Sequence, residues 1–440
     1  MDAIEPCLHQ GYCPYKRENI LPAVAQLTQQ TLAMILAGGR GERLGRLTDW
    51  RAKPGLPFGG KFRIIDFALS NCVNSKIRRI GICTQYKAQS LIRHVQQGWS
   101  FLDGRFDEFI ELLPAQQRID QTWYRGTADA VFQNVDILRR HRPRFVLILA
   151  GDHIYKMDFS RMLAEHAARG AELSIACVEV PLAEASRFGV MQIDPEYRVT
   201  GFCEKPAQPA PRPGRDDVAL VSMGIYIFDA DYLYSRLRMD ADDPASSHDF
   251  GRDIIPQSLA VGARVFAHRF DDSCINNVDG RSYWRDVGTL DSYWAANMEL
   301  TNVIPELNLY DESWPIWTHQ KQLPPSKFVF DEENRRGVAI DSLVSGGCII
   351  SGATVRRSVL FSSVLVRDNA NVEDSVVLSN TEVGAGAVLK RTVIDRRCRI
   401  PAGMSIGVDV EADRERFHVS RGGITLVTPE MLGQGLHQPA

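Results

Sequence analysis

The sequence predicts a doubly wound, mostly parallel α/β sheet followed by a parallel β-helix, and three observations carry that prediction. Continuous apolar runs alternate with helix-like segments from residue 31 to about 180. Two of those runs end in small residues, Ala37-Gly38-Gly39 and Ala150-Gly151-Asp152, as strands do where an open sheet offers its carboxyl edge to a ligand. Beyond residue 335 aliphatic residues recur every six positions, a period that fits neither a helix nor a lone strand and suits triangular coils.

Residues 1–30 read as an N-terminal arm with a short helix around 20–30, and residues 31–290 as the α/β domain. Within it, LAMILA (32–37), RRIGICT (78–84) and RFVLILAGD (144–152) are apolar without alternation, the pattern of strands buried on both faces. ADAVFQNVDILRRH (128–141) has helical spacing through Ala130, Val131, Asn134, Ile137 and Leu138. Residues 291–335, rich in Pro and Trp, read as a linker that packs on the body of the protein. Residues 336–440 form the β-helix and a C-terminal tail. Val344, Ile350, Val366, Val372, Leu378, Val388, Ile394, Ile400 and Ile406 keep the six-residue step and are expected to point inward, one per short face.

At 440 residues the chain is long enough for two domains, with 44% hydrophobic and 24% charged residues. A net charge of −3 argues against a general binder of nucleic acid or anionic membrane. Nine scattered cysteines include no CxxC pair and read as reduced thiols. The N-terminus has neither the basic nor the apolar region of a secretory signal, and no run approaches a membrane span. A cytoplasmic enzyme is expected.

Positive charge is nevertheless concentrated locally. From Arg40 to Arg63 there are seven basic residues against Glu42 and Asp49. Gly38-Gly39-Arg40-Gly41 follows the first strand, but no Gly-Lys-Ser/Thr completes a P-loop. Glycines there let backbone N–H groups meet phosphate oxygens. Arg40 and Arg43, three apart, face one anion, and Lys53 follows after a short loop. Several cations around one polyphosphate suit phosphoryl or nucleotidyl transfer, where catalysis is mostly positioning and charge stabilisation.

Taken together, LAGGRGERL…RAKP…FGGKFRIIDFALSN, TQYKAQSLIRH (84–94), WYRGTADAV (123–131), LAGDHIYKMD (149–158), FCEKP (202–206), SMGIYIF (222–228), SHDFGRDIIP (247–256) and YWRDVGTLDSYW (283–294) resemble the sugar nucleotidyltransferase family, in its glucose-1-phosphate adenylyltransferase branch. The resemblance spans the α/β half almost throughout, and the hexad tail fits the family's left-handed β-helix. It implies a Rossmann-like fold and formation of ADP-glucose and pyrophosphate from ATP and glucose 1-phosphate, the committed step towards glycogen or another α-1,4-glucan. It further implies Mg²⁺, a homotetramer and regulation by small anionic metabolites.

Roles follow by matching positions. Gly38, Gly39, Arg40, Gln85 and Gly126 match ATP-binding positions. Arg43, Lys53 and Asp152 match the catalytic set, and Asp152 with Asp286 the metal carboxylates. Tyr124, Gly189, Glu204, Lys205 and Ser222 match the glucose 1-phosphate pocket, with Lys205 on the phosphate and Glu204 on sugar hydroxyls. Arg63, Arg140 and Arg396 match effector-site arginines. Trp50 and Pro57 stand where members activated by fructose 1,6-bisphosphate carry Lys and His, which leaves fructose 6-phosphate or pyruvate as comparable candidates. Rival readings are a UTP- or dTTP-dependent enzyme on the same fold, a catalytically silent subunit, and a β-helix acyltransferase. The silent subunit is disfavoured because the phosphate and metal residues are all present. The acyltransferase is disfavoured because no His lies between His319 and His418.

Overall fold

The structure, a computed structural model, describes residues 20–39, 41–116, 123–275, 282–332 and 335–435. Most of the N-terminal arm, with Cys7 and Cys13, lies outside them. The described chain opens with α1 (Ile20–Gln29) and β1 (Thr31–Leu36), the LAMILA run. Helices α2 (Ile64–Asn74) and α3 (Gln89–Gly98) flank β2 (Arg79–Thr84), and β3 (Phe109–Pro114) follows. The helix expected over 128–141 is two helices, α4 (Thr127–Phe132) and α5 (Val135–His141), broken at Gln133-Asn134. Strands β4 (Phe145–Ala150) and β5 (His153–Tyr155), then helix α6 (Phe159–Ala168), come next. Strands β6 (Leu173–Pro181), β7 (Gly189–Ile193), β8 (Val199–Glu204) and β9 (Val218–Asp229) lead to α7 (Ala230–Ala241) and α8 (Ile255–Ala260). Strands β10 (Val265–Arg269) and β11 (Trp284–Asp286) and helix α9 (Leu290–Glu299) complete the α/β part.

The main sheet runs β8-β7-β9-β4-β1-β2-β3, with β6 paired to β9 and β10. The half around β1 is parallel (β4-β1-β2-β3), and β9 joins it antiparallel to β4. Alternate residues of β1 enter opposite cores. Leu32 and Met34 pack with residues of α4, α5, α7 and α8; Ala33 and Ile35 pack with residues of α2, α3 and α6. Helices on both faces are why these strands read as unbroken apolar runs. The segment after α9 packs on α2: the Trp314 indole donates to Asn71 Oδ1, Trp317 N to Ser70 Oγ, and Thr318 Oγ1 to Asp66 Oδ2.

Parallel two- and three-residue strands form the β-helix, in register such as Thr354, Asn371, Val388 and Ser405. Its repeat is therefore about 17 residues, not three strict sixes. Consequently Val377 and Leu389 fill the interior, whereas Leu378 turns outward onto the α/β domain and Val388 is only half-buried. The steady six-residue step slips because one corner of each coil is a residue shorter. One face of the β-helix shares a core with the α/β domain, through Val359, Phe361, Val376, Val393 and Leu426 against Leu44, Phe58, Phe67 and Tyr293.

Candidate active site

A cavity of about 450 Å³ opens at the carboxyl ends of β1 and β4. Gly38, Gly39 and Gln85 line one side, Tyr124 and Gly126 another, and Asp152, Glu204 and Lys205 a third. Eight residues that sequence separates by up to 167 positions thus meet at one place, the crevice where open α/β sheets bind ligands. Arg40 lies outside the described residues.

Next to the cavity wall at Asp152, Lys53 Nζ bridges two carboxylates, 2.9 Å from Asp152 Oδ2 and 2.6 Å from Asp286 Oδ1. Local geometry explains this meeting. Asp152 follows β4 directly, β11 pairs antiparallel with β5 so that Asp286 stands opposite His153, and Lys53 begins a one-turn helix. Arg43 Nη2 is 3.9 Å from Asp286 Oδ2 with its side chain 60% exposed, free to turn towards a ligand. Burial alone pushes the Lys53 ammonium down, but Asp152 and Asp286 outweigh it and hold its pKa above the ordinary value. Burial pushes Asp152 up, yet Lys53 and His153 hold it well below the usual carboxylate range. Lys53 is therefore charged and Asp152 ionised at neutral pH.

Asp152, His153 and Asp286 each offer a ligand atom within 4.8 Å of the others. Two carboxylates, completed by oxygens of phosphate and water, are the donor set a hard divalent cation takes. The residues present fit such a cation.

Elsewhere in the cavity wall, Lys205 Nζ lies 2.9 Å from Glu204 Oε1. Lys205 has φ 49°, the left-handed region that a long side chain seldom adopts, and its N–H donates to Phe188 O at 3.0 Å. Tyr124 OH donates to Leu113 O (3.1 Å) and accepts from Asn134 Nδ2 (2.9 Å), which fixes the ring. Of the other expected residues, Gly126 lines the cavity and Gly189 and Ser222 do not. At Gly126 a Cβ would collide with the carbonyl oxygen of His248, so a glycine is needed for the close approach of the 247–248 backbone. Gly189 is covered by Phe202 and Glu204, and Ser222 sits behind Tyr226, 3.4 Å from its hydroxyl.

Sequence reasoning passed over Asp249, Thr127 and Tyr226, which do line the cavity. Thr127 Oγ1 donates to Asp249 Oδ2 (2.9 Å) and accepts from Phe250 N, while Asp249 Oδ1 accepts from Gly251 N. Asp249 and Tyr226 lie inside quoted motifs, so the signal was present. What singles out Thr127 and Asp249 is a pairing across 122 residues that no local pattern displays.

Arg63 and Arg396 come together at the junction of the two domains, with Arg51 and Arg93 among the charges acting on both. Burial and this mutual repulsion, partly offset by Asp66 for Arg63 and Asp395 for Arg396, push each guanidinium down to about 10. Arg140 does not join them; it is exposed on α5, next to His141, whose ring stacks on Phe109 of the edge strand β3.

Comparison with known proteins agrees with this arrangement. Residues 32–303 match the Nucleotidyl transferase family, and residues 324–427 match the GlmU-like, C-terminal hexapeptide family. The chain is 65% identical over 415 residues to the glucose-1-phosphate adenylyltransferase of Nitrosomonas europaea, covering 94% of this chain and 96% of that one. The enzymes of that name from Nitrosospira multiformis and Dechloromonas aromatica are 64% and 63% identical, covering 95% and 98% of this chain and 98% of each relative. A cavity at the strand ends, its paired carboxylates and bridging lysine, the hexad β-helix and identity along nearly the whole length converge: the chain belongs to the nucleotidyl transferase family and, within it, to the glucose-1-phosphate adenylyltransferases.

Proposed function

We propose that this chain makes ADP-glucose and pyrophosphate from ATP and α-D-glucose 1-phosphate, as the committed step of glycogen or related α-1,4-glucan synthesis. The observation that carries the reading is a single cavity whose wall holds both Asp152, bridged through Lys53 to Asp286, and the Glu204–Lys205 pair. The two lysines hold two phosphate groups at the two ends of one reaction coordinate.

A phosphate oxygen of glucose 1-phosphate attacks the α-phosphorus of ATP in line; that P–O bond forms as the bond to the β-phosphate oxygen breaks, and pyrophosphate leaves. The nucleophile is already an anion, so no side chain has to take a proton. Lys205 holds the attacking phosphate and Glu204 accepts sugar hydroxyls. The Gly38-Gly39 backbone, Arg40 and Arg43 take the triphosphate, with Gln85 at the nucleotide side, and Lys53 stabilises charge growing on the α-phosphate and leaving group. Asp152 and Asp286 would hold Mg²⁺, which supplies Lewis-acid neutralisation of phosphate charge when bound.

The proposal extends to organisation. Residues 31–290 constitute the catalytic domain, 291–335 the linker and 336–440 the β-helix, in a cytoplasmic homotetramer. No described helix is long and apolar enough to cross a membrane. Arg63 and Arg396, with Arg51 and Arg93, are proposed to receive a small anionic effector. Arg140, apart from them within one chain, would have to come from another subunit.

Pyrophosphate release with glucose 1-phosphate, Mg²⁺ and each of ATP, UTP, dTTP and GTP tests the reaction. Release with ATP alone is expected; release with UTP or dTTP would keep the mechanism and overturn the substrate. Lys205→Ala tests the division of labour. KM for glucose 1-phosphate should rise roughly 10- to 100-fold, as for a lost charge-assisted phosphate contact, with KM for ATP changed less than about threefold. Equal changes for both substrates would remove Lys205 from the sugar phosphate.

A further inference from the structure

We propose that the C-terminal hairpin of the β-helix domain, residues 418–427 with the one-turn helix Glu430–Leu432, positions the triphosphate loop 41–50 for catalysis. The inference rests on the adenylyltransferase reading for its kinetic consequence, and on geometry alone for its structural one.

The hairpin is rigidly built. Its strands pair through His418 with Leu426 and Val419 with Thr425, and Thr425–Val427 extends the β-helix by pairing in parallel with Thr392–Ile394. From that base it touches the loop at several points. The buried side chains of Ile424 and Leu426 share a core with Leu44 and Leu47, the apolar side of the loop. The His418 imidazole faces Gly45, which has φ 59°, closely enough that a Cβ there would touch the ring at ordinary van der Waals distance. At the loop's end the Trp50 indole donates to Glu430 Oε1 at 3.1 Å.

The same hairpin holds a second catalytic segment. Ser420 Oγ donates to Asp291 Oδ1 in the first turn of α9. That turn begins four residues after Asp286, and Leu290 lies in the shared core. Arg43 and Asp286, 3.9 Å apart, are therefore carried by two segments that rest on one support. Arg43 is exposed where its neighbours Leu44 and Leu47 are buried against the hairpin, so the seating of these two leucines sets where Arg43 stands relative to Asp286. Ser420, Glu430 and Trp50 act through the loop and are positioning residues.

The test uses the full-length protein and three variants: Ser420→Ala/Glu430→Ala, Trp50→Phe, and Glu430→Gln, which keeps an oxygen acceptor for the indole. Amide hydrogen exchange in residues 41–50 should quicken about fivefold or more in the double variant, with β1 and β4 unchanged. KM for ATP should rise about fivefold, while KM for glucose 1-phosphate stays within about twofold. Trp50→Phe should show the same split more weakly, and Glu430→Gln should match the wild type. Unaltered loop exchange in the double variant, or equal rises in both KM values, would overturn the proposal. If the double variant does not fold, Trp50→Phe against Glu430→Gln decides by the same readouts. Wild-type protein that makes no ADP-glucose would sink the functional reading, and the exchange comparison would still decide the positioning role.

Discussion

Asp152→Asn is expected to lower kcat about 10³-fold or more while the protein still folds and still binds ATP. Asp152 stands directly beyond β4, its carboxylate one of two that converge on Lys53. The substitution keeps the shape and one oxygen but removes the charge that a divalent cation and a well-placed ammonium both require. Lys53 would keep its 2.6 Å partner Asp286, so it does not become an unpaired buried charge. Stability should therefore change little compared with the loss of rate. Turnover measured by pyrophosphate release, nucleotide binding by calorimetry and the melting temperature separate these effects. More than about a tenth of the wild-type rate would remove Asp152 from the reaction centre.

The Asp152 side of the candidate site was legible because its parts sit at strand ends. Continuous apolar runs announced β1 and β4, and the residues following them, Gly38, Gly39 and Asp152, had to lie at the carboxyl edge. Lys53 and Asp286 were both named, but the bridge between them was not. It depends on β11 pairing with β5, three-residue strands too short to leave a pattern. The Thr127–Asp249 pair and the 247–248 backbone against Gly126 were hidden for the same reason. In the β-helix the aliphatic period revealed the architecture, while the tightened corner that sends Leu378 outward needs the coil register. Arg51 is the plainest omission. It stood inside the quoted RAKP motif, and only the fold shows it buried against the other domain.

That burial yields the second large effect: Asp395→Ala should destabilise the protein by roughly 3–5 kcal/mol. Arg51 Nη2 donates to both Asp395 oxygens, at 2.8 and 2.9 Å, with the two side chains only 3% and 5% exposed. Asp395 also accepts from the N–H of Arg396 at 2.7 Å. Its loss would leave Arg51 charged inside the domain junction, with Nε and Nη1 already lacking hydrogen-bond partners among the described residues. Arg63 and Arg396 nearby make matters worse, because each is already disfavoured as a cation by burial and by the other guanidinium groups. Asp395 is thus the anion that keeps this cluster of cations together. The first melting transition should fall by roughly 5 °C or more, whereas Asp395→Asn, which keeps an acceptor, should lose less. Phosphate or sulfate should raise the melting temperature of Asp395→Ala more than that of the wild type, since a bound anion then replaces the missing carboxylate. Equal stability of Asp395→Ala and wild type would mean that Arg51 is neutralised by something other than Asp395, and the domain junction would not depend on this pair.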